Sequence, residues 1–269
     1  KKIGINRLSI GIQSFNDTDL LFMNRTHNAD QAINSILIAK KAGFENISID
    51  LIYGLPNQNL QKLIENLDIM FNLDIPHFSA YTLTVENKTK LKYLIDSGKI
   101  VLPKDKKIVK QFNLLISKAK EKKFVHYEIS NFGKKGFYSK HNTAYWQNKY
   151  YLGIGPSAHS FNGISRSWNV SSNKKYIKGV LENLNYSETE ILTLNQQFNE
   201  IIFTGLRTIW GINIKVIEYK FGSNFINHLN KEIIKWIDQK YIVKKDDCFT
   251  LTQNGKAFAD SVAYDLFIV

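Results

Sequence analysis

The chain has 269 residues, enough for one large domain or two ordinary ones, and its 43% hydrophobic and 22% charged residues exclude wholesale disorder. Its single cysteine, Cys248, excludes a disulfide framework and any zinc or iron–sulfur site ligated by thiolates of this chain alone. The net charge of +12 points toward anionic partners. A competing reading is compositional: 32 of the 36 basic residues are lysine, beside 27 asparagines, as a codon bias would produce on solvated surface. Against that background Arg7, Arg25, Arg166 and Arg207 are informative, because arginine persists where a planar, multi-donor fork matters. There is no apolar run of 18 residues and no signal-peptide pattern at Lys1–Ile5, so a cytoplasmic setting is expected.

In chain order, Leu8–Gln13 reads as a buried strand, and Ile33, Ile36 and Leu37 mark a helix stopped at Gly43. Ile47–Tyr53 is a second strand closed by Gly54-Leu55-Pro56, and Leu60, Leu63, Ile64, Leu67 and Phe71 mark the next helix. His77–Thr84 is a third strand. A helix bearing Ile108, Phe112, Leu115 and Ala119 then leads to a fourth, Phe124–Ile129. This alternation predicts parallel strands covered by helices, as in a (β/α) barrel. Because the first strand begins at once, the expectation is the C-terminal portion of a larger barrel. Residues 131–186, rich in Gly, Asn, Ser and aromatics, read as loops and short elements. From Ser187 three helical stretches, a hairpin around Lys244–Asp247 and a last helix capped by Thr252 give a winged-helix pattern. The expected class is therefore α/β: a partial barrel with connecting loops over 1–186, then a small α+β winged-helix-like domain over 187–269.

In such barrels function gathers at the C-terminal ends of the strands, where Gln13, Tyr53, Gly54 and Thr84 fall. Asp50 lies inside an otherwise apolar strand and needs a cation or donors nearby, with Arg25 a candidate. The pair either ties loop to barrel or grips a ligand; composition leaves both open.

These residues fall in consecutive blocks: Leu8-Ser9-Ile10-Gly11-Ile12-Gln13-Ser14-Phe15, Asn24-Arg25-Thr26-His27 and Ile49-Asp50-Leu51-Ile52-Tyr53-Gly54-Leu55-Pro56. Further blocks follow at His126–Phe132, His141-Asn142-Thr143-Ala144-Tyr145-Trp146, Gly153–Ser160, Gly205-Leu206-Arg207 and Leu251–Gly255. Together they resemble, along essentially the whole chain, the radical S-adenosylmethionine family around oxygen-independent coproporphyrinogen III oxidase. The His-Asn-x-x-Tyr-Trp block is similar to its haem-chaperone, HemW-like branch.

The resemblance implies S-adenosylmethionine held by Gln13, Arg25 and Asp50, with Thr84 and His159 at two further positions whose residue types differ from the family's. The chemistry suits the first three. Asp50 accepts from hydroxyls or ammonium, Arg25 can grip a carboxylate with two parallel bonds, and Gln13 offers both donor and acceptor. It also implies haem as cargo, recipient haem proteins as partners, and a [4Fe–4S] cluster in the intact parent only. The cluster-binding cysteine motif lies upstream of everything matched here, so this chain alone is expected to be inactive in radical chemistry, with no catalytic residue or metal ligand of its own.

His141, Tyr145 and Trp146, and more weakly His126, are candidate haem contacts, since flat aromatics and an imidazole suit a porphyrin face and an axial iron bond. The competing reading makes them core and loop residues. Arg166 either meets a porphyrin propionate or pins its loop, and Arg207 reads as a structural tie between the tail and the barrel. The alternative function is the oxidative decarboxylation of coproporphyrinogen III to protoporphyrinogen IX. Nucleic-acid binding through the tail is not expected, because Asn230–Trp236 mixes charges of both signs. Peripheral association with a membrane surface and the oligomeric state stay open.

Overall fold

In the computed structural model, which describes residues 1–269, the contacts divide the chain into Lys1–Tyr138 and Ser139–Val269. In the first unit the predicted alternation appears as β1 (Arg7–Gln13), α1 (Asp17–Phe22), α2 (Ala29–Lys41), β2 (Asn46–Tyr53), α3 (Leu60–Asn72), β3 (His77–Thr82), α4 (Lys90–Asp96), α5 (Asp105–Glu121), β4 (Val125–Glu128) and β5 (Asn131–Gly133). The helix starts are set by side-chain caps. Asn28 and Gln31 form a reciprocal capping box on α2, and Asn59 accepts from the Lys62 amide on α3.

β1, β2 and β3 are parallel neighbours, in register from Leu8 beside Ile47 to Ile49 beside Phe78. Ile47, Ile49, Leu51 and Phe78 of the strands are buried, as are Ile36, Leu63, Leu67 and Met70 of α2 and α3. The fourth predicted strand, β4, keeps the direction of β1–β3, as expected, but does not pair with β3 directly. The sheet runs β1-β2-β3-β5-β4, with β5 wedged antiparallel between β3 and β4. The cause is a tight reversal at Ile129-Ser130, where the Glu128 carboxylate accepts from the Ser130 amide at 3.1 Å and from Asn131 Nδ2 at 2.5 Å. The third strand also ends two residues early, at Thr82, leaving Thr84 exposed in the following coil.

The second unit holds α6 (Lys140–Trp146), β6 (His159–Phe161), β7 (Ser165–Asn169), α7 (Asn173–Leu181) and β8 (Ser187–Ile191), with an antiparallel sheet β6-β7-β8. The sequence boundary at 187 falls at the start of β8, which pairs with β7 from Asn169–Ser187 to Ser165–Ile191, so the sheet spans that position. Then come α8 (Leu194–Leu206), β9 (Ile212–Asn213), α9 (Ile214–Phe221), α10 (Ser223–Asp238), β10 (Ile242–Lys245), β11 (Cys248–Leu251), α11 (Gln253–Lys256) and α12 (Ala259–Asp265). The β10-β11 hairpin is completed by β9 into the three-stranded sheet of a winged helix. Phe198, Ile202, Ile212, Ile217, Leu229 and Ile233 form its core. No helix is long and apolar enough to cross a membrane.

Candidate functional site

Parallel register brings alternate residues of the first sheet to one face. Arg7 and Ser9 of β1 lie beside Asn46 and Ser48 of β2, and Ser48 and Asp50 beside His77 and Ser79 of β3. That face is polar, and its side chains are joined across strands. Ser79 donates to Asn131 at 3.0 Å, and its hydroxyl lies beside Asp50 in the strand register. Burial raises the Asp50 carboxyl above its ordinary value, opposed by the neighbouring Ser79 hydroxyl and by the Arg7 charge. The cation facing Asp50 is thus Arg7, not Arg25. Arg7 is fixed by Asn46 Oδ1 and the Phe137 carbonyl, whereas Arg25 is exposed. Below Asp50, His77 bridges Ser48 at 2.7 Å and the Tyr127 hydroxyl at 2.8 Å. Burial, then the Arg7 charge, depress His77 to about 3, so it is neutral.

The loops at the C-terminal ends of β1 and β2 are clamped by a buried polar network that sequence reading missed. Ser14 bonds Asp19 and Asn66, each at 3.1 Å, and the Phe15 amide donates to Asn66 at 2.5 Å. The Gly54 amide donates to both Gln58 and Gln111 at 3.1 Å, and Gln111 returns a bond to the Gln58 carbonyl. Gly54 has φ +78°, and a Cβ there would press on Thr82 at 3.2 Å, so glycine is required where this loop crosses β3. Gln13 closes β1 at φ +64°, its amide lying where a Cβ on Gly11 would fall 2.7 Å away. The loop bearing Arg25 is tied to the same strand end by His27 Nε2 donating to the Ile12 carbonyl at 3.0 Å.

Gln13 closes β1 and is followed by the Arg25 loop, Asp50 lies within β2 three residues before its end, and Thr84 follows β3. The first unit thus offers a half-buried carboxyl at Asp50, an exposed guanidinium at Arg25 and a carboxamide at Gln13 lying over Gly11. The chain's only cysteine, Cys248, sits on β11, so residues 1–269 offer no thiolate set for an iron–sulfur cluster.

His126 is a packing residue rather than an exposed iron ligand. Its ring stacks on Phe132 at 4.2 Å and meets Phe112 edge-on, while Nε2 donates to the Ile129 carbonyl at 2.8 Å. His159 lies in the second unit, on β6, its ring 6.3 Å from Trp168. His141 and Tyr145 share one face of α6, their rings edge-on at 4.9 Å, with His141 exposed. Tyr145 and Trp146 line one side of a cavity of about 570 Å³, with α8 across from them. Arg207 lies over the Trp146 ring at 5.3 Å and pairs with Asp260 at 2.7 Å, a structural role as expected, but made within the second unit rather than to the barrel. Arg166, on the cavity wall, pairs with Glu200 at 2.9 Å.

The model of the Radical SAM superfamily matches residues 1–70, and that of the HemN C-terminal domain matches 192–258. The chain is 36% identical to the heme chaperone HemW of Bacillus subtilis, over 97% of this chain and 69% of the relative. It is 33% identical to that of Lactococcus lactis (96% and 68%) and to that of Haemophilus influenzae (98% and 68%). It thus spans about two thirds of the length of these relatives. The coproporphyrinogen III oxidase HemN of Escherichia coli, described as a radical SAM enzyme, superposes with a TM-score of 0.77 at 19% identity, over 98% of this chain and 64% of the enzyme, a likeness of fold. With the strand-end blocks, the winged helix and this length-wise identity all in agreement, the chain belongs to the HemW family of the radical SAM superfamily.

Proposed function

We propose that the chain handles haem, binding it through the second unit and passing it to a recipient haem protein in the cytoplasm, with S-adenosylmethionine held at the strand ends of the first. The observation that carries this reading is the 36% identity, sustained over 97% of the chain, to a protein named heme chaperone. Asp50 accepts from hydroxyl or ammonium groups of S-adenosylmethionine, Arg25 takes its carboxylate, Gln13 supplies a donor and an acceptor, and Thr84 adds a hydroxyl. When bound, S-adenosylmethionine supplies radical chemistry in partnership with a reduced [4Fe–4S] cluster, whose ligands are not among residues 1–269. The chain's own part is to bind and orient.

On α6 the exposed His141 is the candidate axial ligand, backed by Tyr145 and, on the cavity side, Trp146. The test is a haem titration of the chain followed by absorbance, with His141→Ala beside it and a decarboxylation assay of the intact protein on coproporphyrinogen III. A saturable shift of the Soret band that His141→Ala alters, without protoporphyrinogen formation, is expected. Turnover of coproporphyrinogen III would replace this reading with the oxidase.

A further inference from the structure

The cavity of the second unit has a composition that the haem-handling reading alone does not explain. Its volume of about 570 Å³ falls in the ~300–1,000 Å³ range of small-molecule pockets. Trp146, Tyr151, Phe161, Phe203 and Phe267 supply flat apolar surface around it. Their placement is fixed from behind. Tyr151 meets Tyr145 edge-on at 4.7 Å and Phe161 at 6.0 Å, and the isolated bridge between Tyr151 and Phe161 holds both backbones. Phe267 is held by its neighbour Ile268, which exchanges two bonds of 2.9 Å with the Asn199 side chain.

Among these aromatics stands one arginine in a chain that elsewhere prefers lysine. Arg166 rests over Phe161 at 5.7 Å and offers Nη2 to Glu200 at 2.9 Å, while its Nε is buried without a partner. A guanidinium fork with one arm used and one unmet is suited to a carboxylate that takes both in parallel. Glu200 holds the used arm from a half-buried position, where burial raises its carboxyl above the ordinary value and the Arg166 charge and bond oppose that rise. Glu190, opposite Arg166 in the register of β7 and β8, also lines the cavity and accepts a bond from Gln196 Nε2 at 3.2 Å.

We propose that this cavity receives the edge of a planar aromatic carboxylate, a porphyrin bearing propionates, with the aromatic walls against the macrocycle and Arg166 exchanging Glu200 for a propionate. This rests on the haem-handling reading and adds to it a propionate site separate from the axial ligand. No bond to iron is involved, so the site binds the iron-free ring as well.

The test uses the full chain, titrated with iron-free protoporphyrin IX and with its dimethyl ester and followed by quenching of tryptophan fluorescence. The diacid is expected to bind at least about tenfold more tightly than the ester, as loss of a charge-assisted pair implies. Arg166→Gln is expected to erase that difference, and Glu200→Gln to tighten the diacid severalfold. A gain of affinity cannot arise from unfolding, so the glutamate variant decides even if the arginine variant folds poorly. Equal binding of diacid and ester, or weaker diacid binding by Glu200→Gln, overturns the proposal. If haem binds and His141→Ala alters its spectrum while the ester and both pocket variants change nothing, the propionate site falls and haem handling stands. If neither haem nor protoporphyrin binds, haem handling falls with it.

Discussion

At the scale of single residues, the binding role proposed for Asp50 runs against its effect on stability. Its folded-state carboxyl lies above its ordinary value, so folding favours the protonated form. Its contribution to stability is present below the ordinary carboxylate range and is lost as pH rises through the raised value. Asp50→Asn is therefore expected to melt no lower than the parent at pH 7, with the difference shrinking in acid, while binding S-adenosylmethionine at least about tenfold more weakly. Melting curves with equilibrium dialysis check both halves, and a variant that loses stability at pH 7 would show that the charge is stabilising. His77 has the opposite sign. Its value falls to about 3, so the unfolded chain binds the proton that the folded chain refuses. Stability is full above ~6.5 and declines as pH falls toward ~3, at up to ~1.4 kcal/mol per pH unit. His77→Asn should remove that slope from a urea-unfolding series taken between pH 7 and 4. Arginine placement was legible in the sequence: Arg7, Arg166 and Arg207 each hold an acid or carbonyl partner. The partner of Asp50 was not, because Arg7 and Ser79 reach it only through strand register, which composition does not carry.

At the scale of elements, β1, α2, β2, α3, β3, α5 and β4, and later α8, α9 and α10, were legible because their apolar periods are unbroken, whereas the short α1 and α4 were not, α4 having no buried residue. The elements that escaped are those whose formation depends on contacts outside them. β5 has three residues and owes its place to a turn stabilised by the Glu128 side chain. β8 reads Ser-Glu-Thr-Glu-Ile and is almost wholly exposed, so no apolar alternation announces it. Gly211 marks a third such contact. It enters β9 at φ +70°, and a Cβ there would lie 2.2 Å from the Phe249 carbonyl oxygen of β11. Gly211→Ala must therefore move backbone against backbone in a left-handed conformation. It is expected to cost roughly 2–4 kcal/mol, read as a lowered urea midpoint, and amides of β9 and β11 should lose exchange protection first. An unchanged midpoint would mean that the β9–β11 pairing bears little of this unit's stability.

At the scale of the whole molecule, the +12 charge and the winged helix together raise nucleic acid as a ligand, and the surface of α10 argues against it. A recognition helix brings unpaired cations and fork-shaped donors to base edges. α10 carries two lysines and no arginine. Lys235 is committed to Asp265 at 2.7 Å, and Lys231 lies 3.7 Å from Glu232. In the hairpin, Lys244 lies over the Phe249 ring at 5.8 Å, and nearby Lys215 pairs with Asp247 at 2.6 Å. The basic surplus is thus spread over the surface as lysine, partly neutralised locally, instead of gathered along the element that would enter a groove. Such a surface attracts duplex DNA only through counterion release, an affinity that falls steeply with salt and ignores sequence. Fluorescence anisotropy of a labelled duplex should show weak retention at 20 mM salt that disappears by about 150 mM, equal for any sequence, and unchanged by Lys231→Ala with Lys235→Ala. Binding that survives 150 mM salt and is lost in that double variant would make the tail a DNA reader and reopen the assignment of the molecule to haem alone.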